Sequence, residues 1–258
     1  MSDTIVASVE APQLNPQPKP PVDLAEVRLK VAEHFYSIQG EGRTVGAPSV
    51  FLRLSFCGFA CSFCDTFEVW RKGMFFSLDE LDALFRDRGY YARIKKGAHL
   101  VLTGGDPLIQ QEELVALFQQ MAIYEQKPER MYIELETQGQ LQPSKELALY
   151  VKQWNVSPKL ANSGMPEEKR LQYPVLAWHS QQNSFFKFPV ATRDDLNEVD
   201  MIVRNVGIKR SRVFLMPICR TREEHAKVSI TVVEMAKMSG YYYSPRMQLV
   251  LYDQATGV

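Results

Sequence analysis

The stretch FCGFACSFCDTF, residues 56–67, places Cys57, Cys61 and Cys64, three of the chain's four cysteines, inside eight residues. A loop carrying thiols this close together can wrap so that three sulfurs converge on metal. Zinc usually closes a tetrahedron with four protein ligands, commonly as two separated pairs. No second pair is present here, and neither His34 nor Cys219, the candidates for a fourth ligand, has a neighbour at finger-like spacing. An iron-sulfur cubane has four irons, and electron-transfer ferredoxins normally bind all four through cysteine. Three thiolates leave one iron open to an outside ligand, which is a catalytic design. A zinc site and three unrelated buried thiols remain the alternatives at this point.

Other short segments carry polar groups where backbone can approach a ligand. TGGDP (103–107), ETQG (136–139), SPK (157–159) and QGEG (39–42) each read as a turn or strand end. Arg53 lies within the apolar run SVFLRLSF, where a guanidinium is costly unless paired; its fork fits a substrate carboxylate or one of the chain's own. Cys219 reads as a buried, unreactive thiol. The histidines His34, His99, His179 and His225 form no ligand spacing and read as surface or packing residues.

Positioning these groups needs a scaffold. From Arg28 onward, short β-branched or aromatic runs alternate with longer amphipathic ones, the pattern of βα units in a mostly parallel sheet. The expected strands are 28–37, 49–56, 98–103, 130–136, 153–157, 184–190, 212–217 and 246–252. Helices are expected between them. Ser77 with Glu80 and Thr221 with Glu224 suit capping boxes at helix starts, while Leu114, Leu117, Phe118 and Met121 recur at helical spacing and read as core. The fold class is α/β, an open or partial TIM-like barrel, with the cysteine loop, TGGDP and ETQG following their strands on one face.

In composition, thirty basic residues balance thirty acidic ones, so no overall field draws in nucleic acid or an anionic membrane. Five of fifteen prolines fall in the first 21 residues without apolar periodicity, so residues 1–27 are expected to form a disordered tail ahead of one catalytic domain, 28–258. The chain has no apparent secretory leader and no spanning run, giving a cytoplasmic expectation in which thiols serve metal or redox chemistry.

CxxxCxxC, with an aromatic Phe63 directly before its last cysteine, resembles the signature of radical S-adenosylmethionine (SAM) enzymes. FYSIQGEGRTVGAPSVFLRL before the cysteines, CDT after them, then TGGDP, ETQG and SPK in this order, resemble the 7-carboxy-7-deazaguanine synthase family. The resemblance runs from about Arg28 to the C-terminus. It implies a 4Fe-4S cluster on Cys57, Cys61 and Cys64, and SAM on the open iron. A hydrogen is abstracted from 6-carboxy-5,6,7,8-tetrahydropterin and returned, with ring contraction and loss of ammonia.

By the same resemblance, Phe63, Asp65, Gly105, Asp106, Glu136, Ser157, Pro158, Lys159, Met216 and Pro217 fall at SAM-binding positions. Ile38, Gln39, Gly40, Glu41, Arg53, Thr103 and Gln248 fall at pterin positions, and Thr66 at a Mg²⁺ position. Three departures stand out: Asp106 replaces the usual glutamate of the TGGDP turn, LMPIC (215–219) replaces a polar stretch around SAM, and Gln248 replaces a histidine. Glutamine can donate and accept but cannot carry imidazolium charge. A homodimer and an external, flavodoxin-like electron donor are also implied, with no direct nucleic-acid partner. The competing readings are a glycyl-radical activase and a zinc-stabilised binding module.

Overall fold

The computed structural model describes residues 23–255 and 257, without the Trp70 side chain. The proline-rich segment 1–22, most of the expected disordered tail, lies outside the described residues. A short 3-10 turn, Leu24–Glu26, leads into the sheet.

Among the described residues, nine strands form one sheet: β1 (Arg28–Ile38), β2 (Pro48–Leu54), β3 (Met74–Ser77), β4 (His99–Gly104), β5 (Ile133–Thr137), β6 (Val151–Val156), β7 (Ser184–Val190), β8 (Val213–Pro217) and β9 (Tyr242–Tyr243). Their order across the sheet is β3-β1-β2-β4-β5-β6-β7-β8-β9. β1 runs antiparallel to both β2 and β3, and every pairing from β2 to β9 is parallel. β3 and β9 stand at opposite ends of this order, so the sheet is a partial barrel.

Alternation along the strands builds two environments from one sheet. On β2, Val50, Leu52 and Leu54 enter the core shared with the helices, whereas Phe51 and Arg53 line a concave cleft. Likewise Ile133 and Leu135 of β5, and Phe186 and Phe188 of β7, are core, whereas Glu136 and Lys187 face the cleft. Residues of β1, β2 and β4 to β8 line this one cleft, so the sheet must curve around it.

Helices cover the outer face as the periodicity requires. Leu78–Asp87 opens with a reciprocal box: Glu80 N–H donates to Ser77 Oγ (3.1 Å), and Ser77 N–H donates to Glu80 Oε2 (2.7 Å). Gln111–Ile123 buries Leu114, Leu117, Phe118 and Met121. At Arg222–Ser239 only half the expected box forms. Thr221 Oγ1 accepts from Glu224 N–H (3.1 Å), but Glu224 Oε2 accepts from Arg220 N–H (2.7 Å) rather than from Thr221.

One expected strand is a helix. RMQLVLY alternates poorly and is short, and Met247–Tyr252 coils against the cleft, with Leu249 buried and Met247 N–H donating to Gly40 O (3.0 Å). A short, mainly apolar segment cannot be assigned by periodicity alone. The edge strand β3 and the two-residue β9 carry too little pattern to be read in advance.

Candidate active site

The cysteine loop leaves β2 through a tight turn. Phe56 adopts φ 74°, unusual for a residue with a side chain, and its carbonyl accepts from Asp106 N–H at 2.9 Å. Gly105 stacks directly on this turn: a Cβ there would overlap the Phe56 carbonyl and stand 2.7 Å from Cys57 Cβ. The second glycine of TGGDP is therefore required by the cysteine loop itself. Further along, Ser62 N–H donates to Ser163 O (3.1 Å) and Arg220 Nη2 donates to Ser62 O (2.7 Å), tying the loop to segments beyond β6 and β8.

None of the four cysteines is in a disulfide, and Cys57, Cys61 and Cys64 all line a cleft of about 480 Å³. Among the described residues, no three His, Cys, Asp or Glu side chains converge to hold a single metal ion. Three free thiols rimming one cavity suit a cluster, whose irons occupy separate corners and take thiolate ligands. Burial pushes the Cys57 and Cys61 thiols up, and the Lys159 ammonium opposes it. Cys57 Sγ accepts from Gln138 Nε2 (2.9 Å) and from Phe59 N–H (3.4 Å).

Beside the thiols stand the other segments singled out in the sequence. Lys159 is half-buried, with Nζ donating to Ser157 O (3.0 Å) and Ser157 Oγ (3.1 Å); burial pushes its pKa down, partly countered by Cys61. Thr103 Oγ1 donates to Glu136 Oε2 (2.6 Å), and Gln39 Nε2 approaches Glu136 Oε1 (3.4 Å). Phe63, Asp65, Thr66, Ile38, Gly40, Met216, Pro217 and Gln248 also line the cleft. Thr66 stands at the N-cap position of Phe67–Trp70 but its hydroxyl makes no capping bond.

Two expected positions do not line it. Pro158 is absent from the wall, and Asp106 is buried with its carboxylate engaged internally: Oδ1 accepts from Leu108 N–H (3.1 Å), and Oδ2 from Thr137 Oγ1 (2.9 Å) and Gln138 N–H (3.1 Å). Burial raises the Asp106 pKa against those bonds. Asp106 thus clasps TGGDP to ETQG, because a carboxylate this deep must be saturated by nearby donors.

The far wall is an ionic network. Glu41 pairs with Lys187 and with Arg246 (Nε to Oε1, 3.1 Å), and accepts from Gln248 Nε2 (2.6 Å). Arg246 also bonds Asp65 and the Cys219 carbonyl. Burial pushes the Glu41 pKa up, but Lys187 and Arg246 outweigh it and hold the carboxyl well below the usual range. Burial alone would lower Lys187, and Glu41 and Glu136 reverse that. Arg53 Nε pairs with Glu33 Oε1 at 2.6 Å, so the internal ion pair allowed for in the sequence is present, while Arg53 still lines the cleft.

A Radical SAM superfamily pattern matches residues 52–158. The 7-carboxy-7-deazaguanine synthase of Pyrobaculum aerophilum is 35% identical over 239 residues, covering 90% of this chain and 99% of that protein. The chain belongs to the 7-carboxy-7-deazaguanine synthase family. The Rhodopirellula baltica enzyme of the same name is 31% identical, with 90% of each chain covered. In structure, QueE from Escherichia coli superposes with a TM-score of 0.62 over 84% of this chain and 93% of that one, at 23% identity, which speaks to the shared fold.

As a radical SAM enzyme of this family, the chain is a lyase that uses a 4Fe-4S cluster and SAM. Among the groups of its cleft that sequence reading missed are Gln138, Asn155, Lys187 and Arg246. Lys187 carried a usable signal, since a lysine inside SFFKFPV is as anomalous as Arg53 inside SVFLRL. Arg246 was hidden by the strand assignment of its segment. The histidines pack: His99 Nδ1 meets Glu134 Oε1 at 2.5 Å and stacks on Tyr132, and His179 is buried against Trp154 and Trp178.

Proposed function

We propose that this chain converts 6-carboxy-5,6,7,8-tetrahydropterin to 7-carboxy-7-deazaguanine with loss of ammonia. The observation that carries this reading is that the cysteine loop, TGGDP, ETQG, SPK and QGEG, scattered over more than a hundred positions, all contribute to one cleft. When bound, the cluster and SAM supply reversible hydrogen-atom abstraction.

The chain's own residues hold and orient. Cys57, Cys61 and Cys64 carry the cluster. Gly105, Glu136, Ser157 and Lys159, with Phe63, Met216 and Pro217, form the wall for SAM; apolar Met216 takes part by packing and its backbone, not by a polar side chain. On the opposite wall, Glu41 is kept ionised by Lys187 and Arg246, and a carboxylate in that state accepts adjacent ring N–H donors of a pterin. Arg53, Nε on Glu33, presents a cation to the substrate carboxylate. Gln39, Gly40 and Thr103 complete this wall, and Gln248 replaces an imidazolium charge with a neutral amide.

Thr66 binds Mg²⁺ in this reading, together with substrate oxygens and water, consistent with a hard cation that takes few protein ligands. Asp65 is engaged by Arg246 and shapes the loop. An external one-electron reductant serves the cluster, and the enzyme acts as a cytoplasmic homodimer. Among the described residues no helix is long and apolar enough to cross a membrane.

Anaerobic turnover of the carboxytetrahydropterin with SAM, Mg²⁺ and reductant, followed by mass spectrometry, tests the assignment. The deazapurine is the expected product, lost on omission of Mg²⁺. Deoxyadenosine without the deazapurine would leave the radical class standing and defeat the substrate.

A further inference from the structure

Gln138 has no place in the binding roles above, yet its side chain is fixed at the cysteine loop. It directly follows β5 and is 6% exposed. Its backbone N–H is fixed by Asp106 Oδ2, which also takes the hydroxyl of Thr137. Its side-chain nitrogen has two protons and two acceptors in reach: Cys57 Sγ at 2.9 Å and Gly105 O at 3.1 Å. The amide oxygen is buried and has no partner among the described residues. Rotating the amide would set that oxygen against a sulfur and a carbonyl, removing both bonds, so the nitrogen must face the sulfur.

This contact singles out one ligand of three. No side chain among the described residues donates to Cys61 Sγ or Cys64 Sγ, whereas Cys57 receives Gln138 as well as the Phe59 N–H. Hydrogen bonds to ligand sulfurs are among the factors that set cluster potential. Reduction adds negative charge shared between irons and thiolates, and a donor proton at the sulfur stabilises the reduced form more than the oxidised one. We infer that Gln138 tunes the cluster, raising its reduction potential through an N–H···S bond to Cys57, with Asp106 as the residue that positions it.

The inference rests on the cluster assignment of the preceding section. Its test is an EPR-monitored redox titration of full-length, anaerobically reconstituted wild type, Gln138→Leu and Gln138→Glu. Leucine removes the donor, and glutamate turns an acceptor toward the sulfur. The midpoint potential is expected to move negative in Gln138→Leu and further in Gln138→Glu, with Lys159 untouched in both. Wild-type potentials in both cluster-loaded variants would overturn the inference. Should either variant fail to load, wild type labelled with ¹⁵N at the glutamine side chain decides: a hyperfine coupling between that nitrogen and the reduced cluster supports the bond, and its absence overturns it. Wild type that assembles no cluster at all would instead bring down the assignment beneath.

Discussion

The guanidinium of Arg246, at the start of the last helix, lies against the carboxylate of Asp65, the residue immediately after Cys64 and 181 positions away in the chain. The same guanidinium holds Glu41 and the Cys219 carbonyl, so one side chain joins the cysteine loop, the QGEG loop and the segment after β8.

Arg246→Ala should therefore do more than remove a surface charge. Breaking one partner from a buried ionic set costs roughly 3 kcal/mol or more. For a domain of this size that lowers Tm by about 6 °C or more. Arg246→Lys keeps the charge but loses the fork that spans three acceptors, and should fall between. Thermal unfolding of the three proteins, with iron content after reconstitution, checks this; equal Tm values would show that the network contributes nothing to holding the loop.

Two glycines should respond differently to alanine. At Gly105 the new Cβ meets backbone, the Phe56 carbonyl, which cannot move without dragging Cys57. Gly105→Ala is expected to cost about 1–3 kcal/mol from overpacking, and to impair iron loading. At Gly40 the nearest atom is the amide end of Gln248, which can swing aside, and the nearest backbone atom, Gln248 N, stands farther off at 3.2 Å. Gly40→Ala should keep its iron and disturb only the Glu41–Gln248 contact, appearing as a raised KM. Equal iron loss in both would contradict the difference in geometry.

His179 sets an acid limit on stability. Burial among Trp154 and Trp178 pushes its imidazole down to about 3, from an ordinary 6.5. Between those values the unfolded chain takes up a proton that the folded one refuses, so stability is full above pH 6.5 and falls as pH drops toward 3. The slope from this residue is roughly 1.4 kcal/mol per pH unit. His34 and His225, also lowered by burial, act with the same sign. Urea midpoints from pH 7 to 4 should decline steeply in wild type and less so in His179→Phe; parallel curves would show that His179 titrates normally in the fold.

Much of this was legible beforehand because it depends on local spacing. The thiol motif, the Ser77–Glu80 box and the apolar strands each declare themselves within a dozen residues. What escaped is long-range or conflicted. Arg246 matters through partners on three distant segments, and no local pattern encodes that. RMQLVLY has strand-like composition, yet its place beyond β9 has it coil against Gly40 instead of extending the sheet. Asp106 resembled a cofactor contact by motif position, and only burial reveals that its oxygens clasp Thr137 and Gln138.

Cys61→Ala should lose its iron and all turnover while the metal-free proteins melt within a few degrees of each other, since Cys61 is half-exposed on a loop and contributes little to the core. An active, iron-free Cys61→Ala enzyme would contradict the role given to the loop.

The most direct single measurement is Mössbauer spectroscopy of ⁵⁷Fe-reconstituted wild type, made under anaerobic conditions with and without SAM. The expected result is about four irons per chain, with one site changing its spectrum when SAM is added and the rest unchanged. A protein that holds no cluster, or a cluster whose irons are all indifferent to SAM, would contradict a three-thiolate site with one open corner.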